Sequence, residues 1–263
     1  MARQEGVMIF GSYQEVGTIA RAVGVGGDVT RVIIENGYGD IKLEAGRSGI
    51  VEVIARFKAP PGENYAVSDQ DVEITTGDGK LKIRAVEAPK ALQRRKIYWE
   101  VRIPMSMSVR ARNGVGNIEA QGLNGEHDLR TGVGNIIVHA ERVCGSSRFR
   151  AGTGKVEVHA HRLEGDPGLL TGVGTVTLQA GTAMLGHASL KCATGNITLE
   201  LPATYIGRID LKTAVGRIKL GADRAAIPVH TTFVGSRAHG LLGQGPGDIE
   251  AKTAVGNITL QRS

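Results

Sequence analysis

The sequence predicts an all-β protein, a single-chain parallel β-solenoid (β-helix) with turns of about 20 residues. Three observations predict it: a comb of regularly spaced glycines, a period of two in the residues that flank each glycine, and no helical periodicity between them. The chain has 263 residues, of which 38 are glycine and only 4% are aromatic. Many tight turns and few bulky core anchors suit a fold of short strands.

The repeated unit is a small polar residue, Gly or Ala, any residue, Gly, a polar residue, then alternating apolar and polar positions. It reads ENGYGDIKLEA from Glu35, TTGDGKLKIRA from Thr75, RNGVGNIEAQG from Arg112, RTGVGNIIVHA from Arg130 and RAGTGKVEVHA from Arg150. It continues as LTGVGTVTLQA from Leu170, KCATGNITLEL from Lys191, KTAVGRIKLGA from Lys212 and KTAVGNITLQR from Lys252. The second glycines are Gly39, Gly79, Gly116, Gly134, Gly154, Gly174, Gly195, Gly216 and Gly256, separated by 40, 37, 18, 20, 20, 21, 21 and 40 residues. The long gaps read as two units with one copy eroded, and Gly235 in TTFVGSRAHG fills the last.

Counted from the second glycine, positions +2 and +4 are apolar almost throughout: Ile118 and Ala120, Ile136 and Val138, Val156 and Val158, Ile258 and Leu260. Position −5 is apolar as well, at Leu129, Phe149, Leu169, Leu190 and Leu211. Each unit thus offers two short strands, apolar on one face, joined where glycine permits a bend. Such a unit cannot bury its face alone, so equivalent positions are expected to stack into columns ~4.8 Å apart. Ten to thirteen turns would give a rod of about 50–60 Å. Residues 1–20 read as an N-terminal lead or cap and 21–263 as one solenoid, irregular over 21–110 and regular over 111–263. Inserts are expected at Ala59-Pro60-Pro61-Gly62-Glu63-Asn64 and near Ala88-Pro89-Lys90. The chain stops two residues after Gln261, which predicts an uncovered end turn and a route to end-to-end polymers.

The stretch WEVRIPMSMSVRARNGVGNIEAQGLNGEHDLRTGVGNIIVHA (Trp99 to Ala140) resembles a widespread bacterial family of uncharacterised "putative adhesin" proteins. Its mark is a strand ending in Val101-Arg102-Ile103-Pro104, followed by serial Gly-Asn-Ile turns, and the resemblance spans roughly residues 20 to 263. It implies the solenoid fold, a cell-envelope setting and no catalytic residues. Family members usually carry a signal or an anchor. Here the start lacks the charged-then-apolar layout of a secretory signal, and no apolar run reaches the ~18 residues of a membrane span.

Chemistry is sparse. Hydrophobic residues make up 41% and charged residues 22%, which excludes wholesale disorder. Cys144 and Cys192 read as free thiols, and Cys192 falls at position −3, expected to point inward. A Ser or Thr is missing after Ala151-Gly152-Thr153-Gly154-Lys155, and no helix follows Gly24-Val25-Gly26-Gly27, so neither is a nucleotide loop. Asp40 and Asp248 follow Gly-x-Gly, but the other copies rarely carry a carboxylate there, which excludes a serial calcium spiral. His139 and His159 share position +5, with His161 beyond; they read either as metal-ligand candidates or as an exposed polar row. Lys90, Arg94, Arg95 and Lys96 lead into Tyr98 and Trp99, as a contact loop or as a plain insertion. A glycosidase needs carboxylates clustered on adjacent turns; the outward rows offer Glu119 and Glu157, but Ile137 separates them. No enzyme and no cofactor is implied.

The main candidate site comes from the net charge of +6 and from position −4, which carries Arg112, Arg130, Arg150, Lys191, Lys212 and Lys252. Stacking would line these cations up on an outward face, as a strip for an acidic polymer or cell-surface component, or simply as a solvated ladder. Asp128, Asp210 and Glu250 at position −6 would partly neutralise it, and the absence of aromatics there weakens a nucleic-acid reading. The function expected is a non-enzymatic surface or scaffold protein binding a partner or polymer through stacked faces. The alternatives are a self-assembling filament, with homo-oligomers formed through the solenoid ends, and a polysaccharide-active β-helix enzyme.

Overall fold

The structure, a computed structural model, describes residues 13–62, 66–86, 95–182, 184–221 and 227–262. The described residues form an all-β fold of mixed strand orientation. Its one helical element is a single 3-10 turn at Asp69–Asp71. No helix among the described residues is long and apolar enough to cross a membrane.

Two ladders of strands face one another. In spatial order the first contains β5 (Val72–Gly77), β6 (Lys80–Ala85), β2 (Arg31–Tyr38), β8 (Ser108–Val115), β10 (His127–Val133), β12 (Arg148–Thr153) and β14 (Gly168–Val173). It continues with β16 (Met184–Thr194), β22 (Gly247–Val255), β18 (Gly207–Val215), β21 (Ser236–Leu242) and β20 (Val229–Thr231). The second contains β1 (Gln14–Gly24), β4 (Ile50–Ala59), β7 (Lys96–Pro104), β3 (Ile41–Gly46), β9 (Ile118–Gln121) and β11 (Ile136–Gly145). It ends with β13 (Val156–Gly165), β15 (Val176–Ala180), β17 (Ile197–Leu201), β23 (Ile258–Arg262) and β19 (Ile218–Leu220). The start of β16 pairs with β13 at Leu163↔Met184 before the strand crosses to the first ladder, so the ladders join.

Within each ladder nine consecutive strands run parallel, from β6 to β18 and from β7 to β19. The register sets like on like: Leu129 on Phe149, Ile136 on Val156, Val138 on Val158. Positions +2, +4 and −5 therefore fill the space between the ladders, and Ile118, Ile136, Val156, Val176, Leu129, Phe149 and Leu190 are buried. Burying each such side chain contributes roughly 1.5–3 kcal/mol.

The second glycines carry φ of +119° at Gly39, +134° at Gly116, +145° at Gly134 and +137° at Gly154. That backbone suits glycine alone, and a Cβ on Gly134 would also collide with the carbonyl oxygen of Gly116 one turn away. At position −3, hydroxyls close the same corner. Thr131 Oγ1 donates to Gly116 O at 2.8 Å, Thr171 to Gly154 O at 2.9 Å and Thr253 to Gly195 O at 3.0 Å. At position +1, side-chain oxygens of Asp and Asn form a further ladder. Asp40 Oδ1 accepts from Asn117 N, Asn117 Oδ1 from Asn135 N and Asn135 Oδ1 from Lys155 N, at 2.7 to 2.9 Å. The Gly-Asn-Ile motif is thus a set of parts that bond each turn to the next.

Several expectations need correction. The arrangement is not wholly parallel. β1, β4, β5, β20 and β21 pair antiparallel with their neighbours and lie at the ends of the ladders. Gly79 is not a stacked turn: Asp78 (φ +51°) and Gly79 (φ +70°) form the bend of the β5–β6 hairpin, the conformation that Asp-Gly favours. Gly235 likewise sits between the antiparallel β20 and β21, where Thr232 N donates to Gly235 O at 2.8 Å. The nine parallel strands of each ladder make a stack about 40 Å long, and the antiparallel strands at the ends bring the ladders to 12 and 11 strands. The premise of an uncovered last turn also fails, because β22 and β23 lie inside the ladders, between β16–β17 and β18–β19.

Candidate anion-binding face

Position −4 points outward from the first ladder. Pairing sets Arg112 beside Arg130, Arg130 beside Arg150, and Leu170 between Arg150 and Lys191. Because β22 is inserted, Lys191 is followed by Lys252 and only then by Lys212, with Arg237 of β21 beyond. All six predicted cations therefore occupy one column, in an order that the chain itself does not follow. At the other end, Glu35 stands between Arg84 and Arg112.

The alternation of β-structure explains the neutralising charges. Position −6 lies two residues away on the same face. Asp128 accepts from Arg110 Nε at 3.0 Å and from Arg130 Nε at 2.8 Å. Glu250 pairs with Lys252, whose hydrogen bond holds the carboxyl below its ordinary range, and Asp210 lies 3.5 Å from Arg237. Among the described residues Arg112, Arg150, Lys191 and Lys212 have no carboxylate within ion-pair distance, although Glu35 stands beside Arg112 in register and Lys191 lies close enough to help hold the Glu250 carboxyl low.

The surface along this column is grooved. Beside the lysines a shallow groove of about 560 Å³ has a floor of Gly172, Ala193, Ala254 and Ala214. A second concavity, of about 250 Å³, lies between Arg148, Arg150 and Lys191. The sequence reading missed Arg110 and Arg148, both at position −6. Position −6 was read there only for its acids, although Arg110 and Arg148 stand two residues before Arg112 and Arg150.

The other candidates resolve differently. His139 and His159 do stack, with ring centroids 4.7 Å apart, and His159 Nε2 lies 2.6 Å from Glu157 Oε1. No group of three His, Cys, Asp or Glu able to hold a metal ion occurs among the described residues. Cys192 is buried with its Sγ directed at Gly174 O, and burial pushes its thiol up. Lys90 and Arg94 lie outside the described residues. Trp99 belongs to no contact loop. It sits in the core strand β7 as the neighbour of Ile41, and is 1% exposed. Arg95 is buried too, 3.2 Å from Asp71. Ile137 stands between Glu119 and Glu157 in register, so those carboxylates are not adjacent.

Comparison with known proteins adds little sequence information. No protein-family model matches the chain, and no curated protein matches it. Solved structures do resemble it at low identity. A putative adhesin from Bacteroides fragilis is 12% identical, with 93% of this chain and 97% of that one covered at a TM-score of 0.45. A putative cell adhesion protein from Clostridium sporogenes is 11% identical, with 95% and 100% covered at 0.38. For a putative adhesin from Parabacteroides merdae the values are 10% identity, 93% and 96% coverage, and a TM-score of 0.37.

Proposed function

We propose that this chain is a non-enzymatic binding protein of adhesin-like type, a β-solenoid that holds an acidic polymer or cell-surface component along its outward cation column. The observation that carries the reading is the column itself. Arg112, Arg150, Lys191 and Lys212 stand in one line of register, outward and with no carboxylate within ion-pair distance among the described residues. A row of cations ~4.8 Å apart per turn raises the local concentration of an extended polyanion and releases its counterions on contact.

The test is retention on a heparin matrix across a salt gradient. The wild-type chain elutes late, and replacing Arg112, Arg130 and Arg150 with Ser brings elution forward to that of a neutral protein. Unchanged retention of the triple variant, with an unchanged melting temperature, overturns the reading.

A further inference from the structure

The cation column has one missing tooth, and the gap is shaped. On β14, position −4 is Leu170, and position −6 is Gly168, where an added Cβ would meet nothing within 4 Å. The turns on either side carry Arg148 and Arg150 of β12, and Ser189 and Lys191 of β16. The result is the concavity of about 250 Å³ noted above, walled by three cations. Neither the two guanidinium groups nor the ammonium group has an acidic partner within ion-pair distance among the described residues. Two turns of the ladder separate the walls, about 10 Å between backbones, a span that Arg and Lys side chains close from both sides.

We propose that this notch is the anchor of the binding face and takes a phosphate or sulfate group carried by the polymer; the inference rests on the polyanion reading above. Guanidinium forks donate in pairs to tetrahedral oxyanions, Lys191 adds a point charge, and the Ser189 hydroxyl is a further donor. A carboxylate has only two oxygens and leaves part of that donor set unused. Asp166 stands on the rim, with Oδ1 accepting from His187 N at 2.9 Å, and its charge opposes the anion. The notch thus separates sulfated or phosphorylated polymers from polymers that carry carboxylates alone.

Titration calorimetry at fixed salt tests this with three probes of matched charge: a heparin tetrasaccharide, a short inorganic polyphosphate and an oligogalacturonate. The wild-type chain is expected to bind one or both of the first two about tenfold more tightly than the third, and which one identifies the source of the oxyanion. Arg148→Ser and the notch-filling Gly168→Leu remove that preference, and Asp166→Asn strengthens it. Arg208→Ser, at the far end of the face, leaves it intact. The inference is overturned if the three probes bind equally, or if Arg148→Ser weakens binding no more than Arg208→Ser. In those cases a triple variant of Arg112, Arg130 and Arg150 that still abolishes binding leaves the polyanion reading standing. Should no probe bind the wild-type chain, both fail.

Discussion

His127 makes the stability of this protein sensitive to acid in a way that one substitution removes. Its side chain is fully buried in β10, tilted against Phe149 with ring centroids 5.9 Å apart, and neither ring nitrogen has a hydrogen-bond partner among the described residues. Burial alone pulls its pKa down from 6.5 to about 4. Below pH 6.5 the unfolded chain takes up a proton that the folded chain refuses, so stability is complete above 6.5 and falls as pH drops toward 4. At 1.36 kcal/mol per pH unit that loss is about 3 kcal/mol. For a chain of this length it corresponds to a drop of roughly 6–12 °C in melting temperature. Carboxylates with lowered pKa values, such as Glu44, Glu157 and Glu250, add their own acid sensitivity, so the quantity to measure is a difference between proteins. His127→Leu keeps an apolar body beside Phe149 and removes both unpaired nitrogens. Thermal unfolding followed at pH 7.5 and at pH 4 should show the variant gaining on wild type by about 3 kcal/mol across that interval. A parallel decline of the two proteins would refute the reasoning.

Further outcomes follow from the corners and the face. Gly154→Ala forces a side chain into φ +137° and against the carbonyl of Gly134; it should cost more than about 3 kcal/mol in chemical denaturation, whereas Ala at the exposed Gly27, which meets nothing, should cost under about 1. Ala151 is the buried member of the position −3 column without a donor, so Ala151→Thr should gain about 1 kcal/mol by bonding Gly134 O, and Thr131→Ala should lose about as much. Glu250→Gln removes the partner of Lys252 and should move elution from heparin to higher salt, with Asp128→Asn acting the same way through Arg130.

Much of the architecture was legible because repetition turns local rules into columns. Ile136 over Val156 and Thr131 at the inward corner follow from the glycine comb and a period of two, and so does the outward line of Arg112, Arg130 and Arg150. Orientation was harder to read. Asp78-Gly79 looks like a copy of the comb but is a hairpin bend, set apart from Gly39 by its φ values and by the antiparallel pairing of β5 with β6. A second comb, at Gly145, Gly165, Gly186, Gly247 and Gly207, was visible nine residues before the first; four of these glycines, Gly145, Gly165, Gly186 and Gly207, have positive φ. Neighbour order is the feature that pattern alone does not reach. Lys191-Cys192-Ala193, Lys212-Thr213-Ala214 and Lys252-Thr253-Ala254 present nearly the same surfaces, so any order of the three satisfies the hydrophobic columns. Likewise Trp99 escaped notice as core because β7 has no glycine bend to mark its phase.

The order of that column is open to direct measurement by disulfide trapping. In a background with Cys144→Ser and Cys192→Thr, paired cysteines at 191 and 252 lie on adjacent parallel strands, within the ~4.4–6.8 Å Cα range a disulfide needs. Cysteines at 191 and 212 are two strands apart, at about 10 Å. Mild oxidation followed by peptide mapping should cross-link the first pair and leave the second reduced. A 191–212 bridge, with the 191–252 pair remaining free, would show that the last turn does not lie within the ladder and would dissolve the column on which the binding face is built.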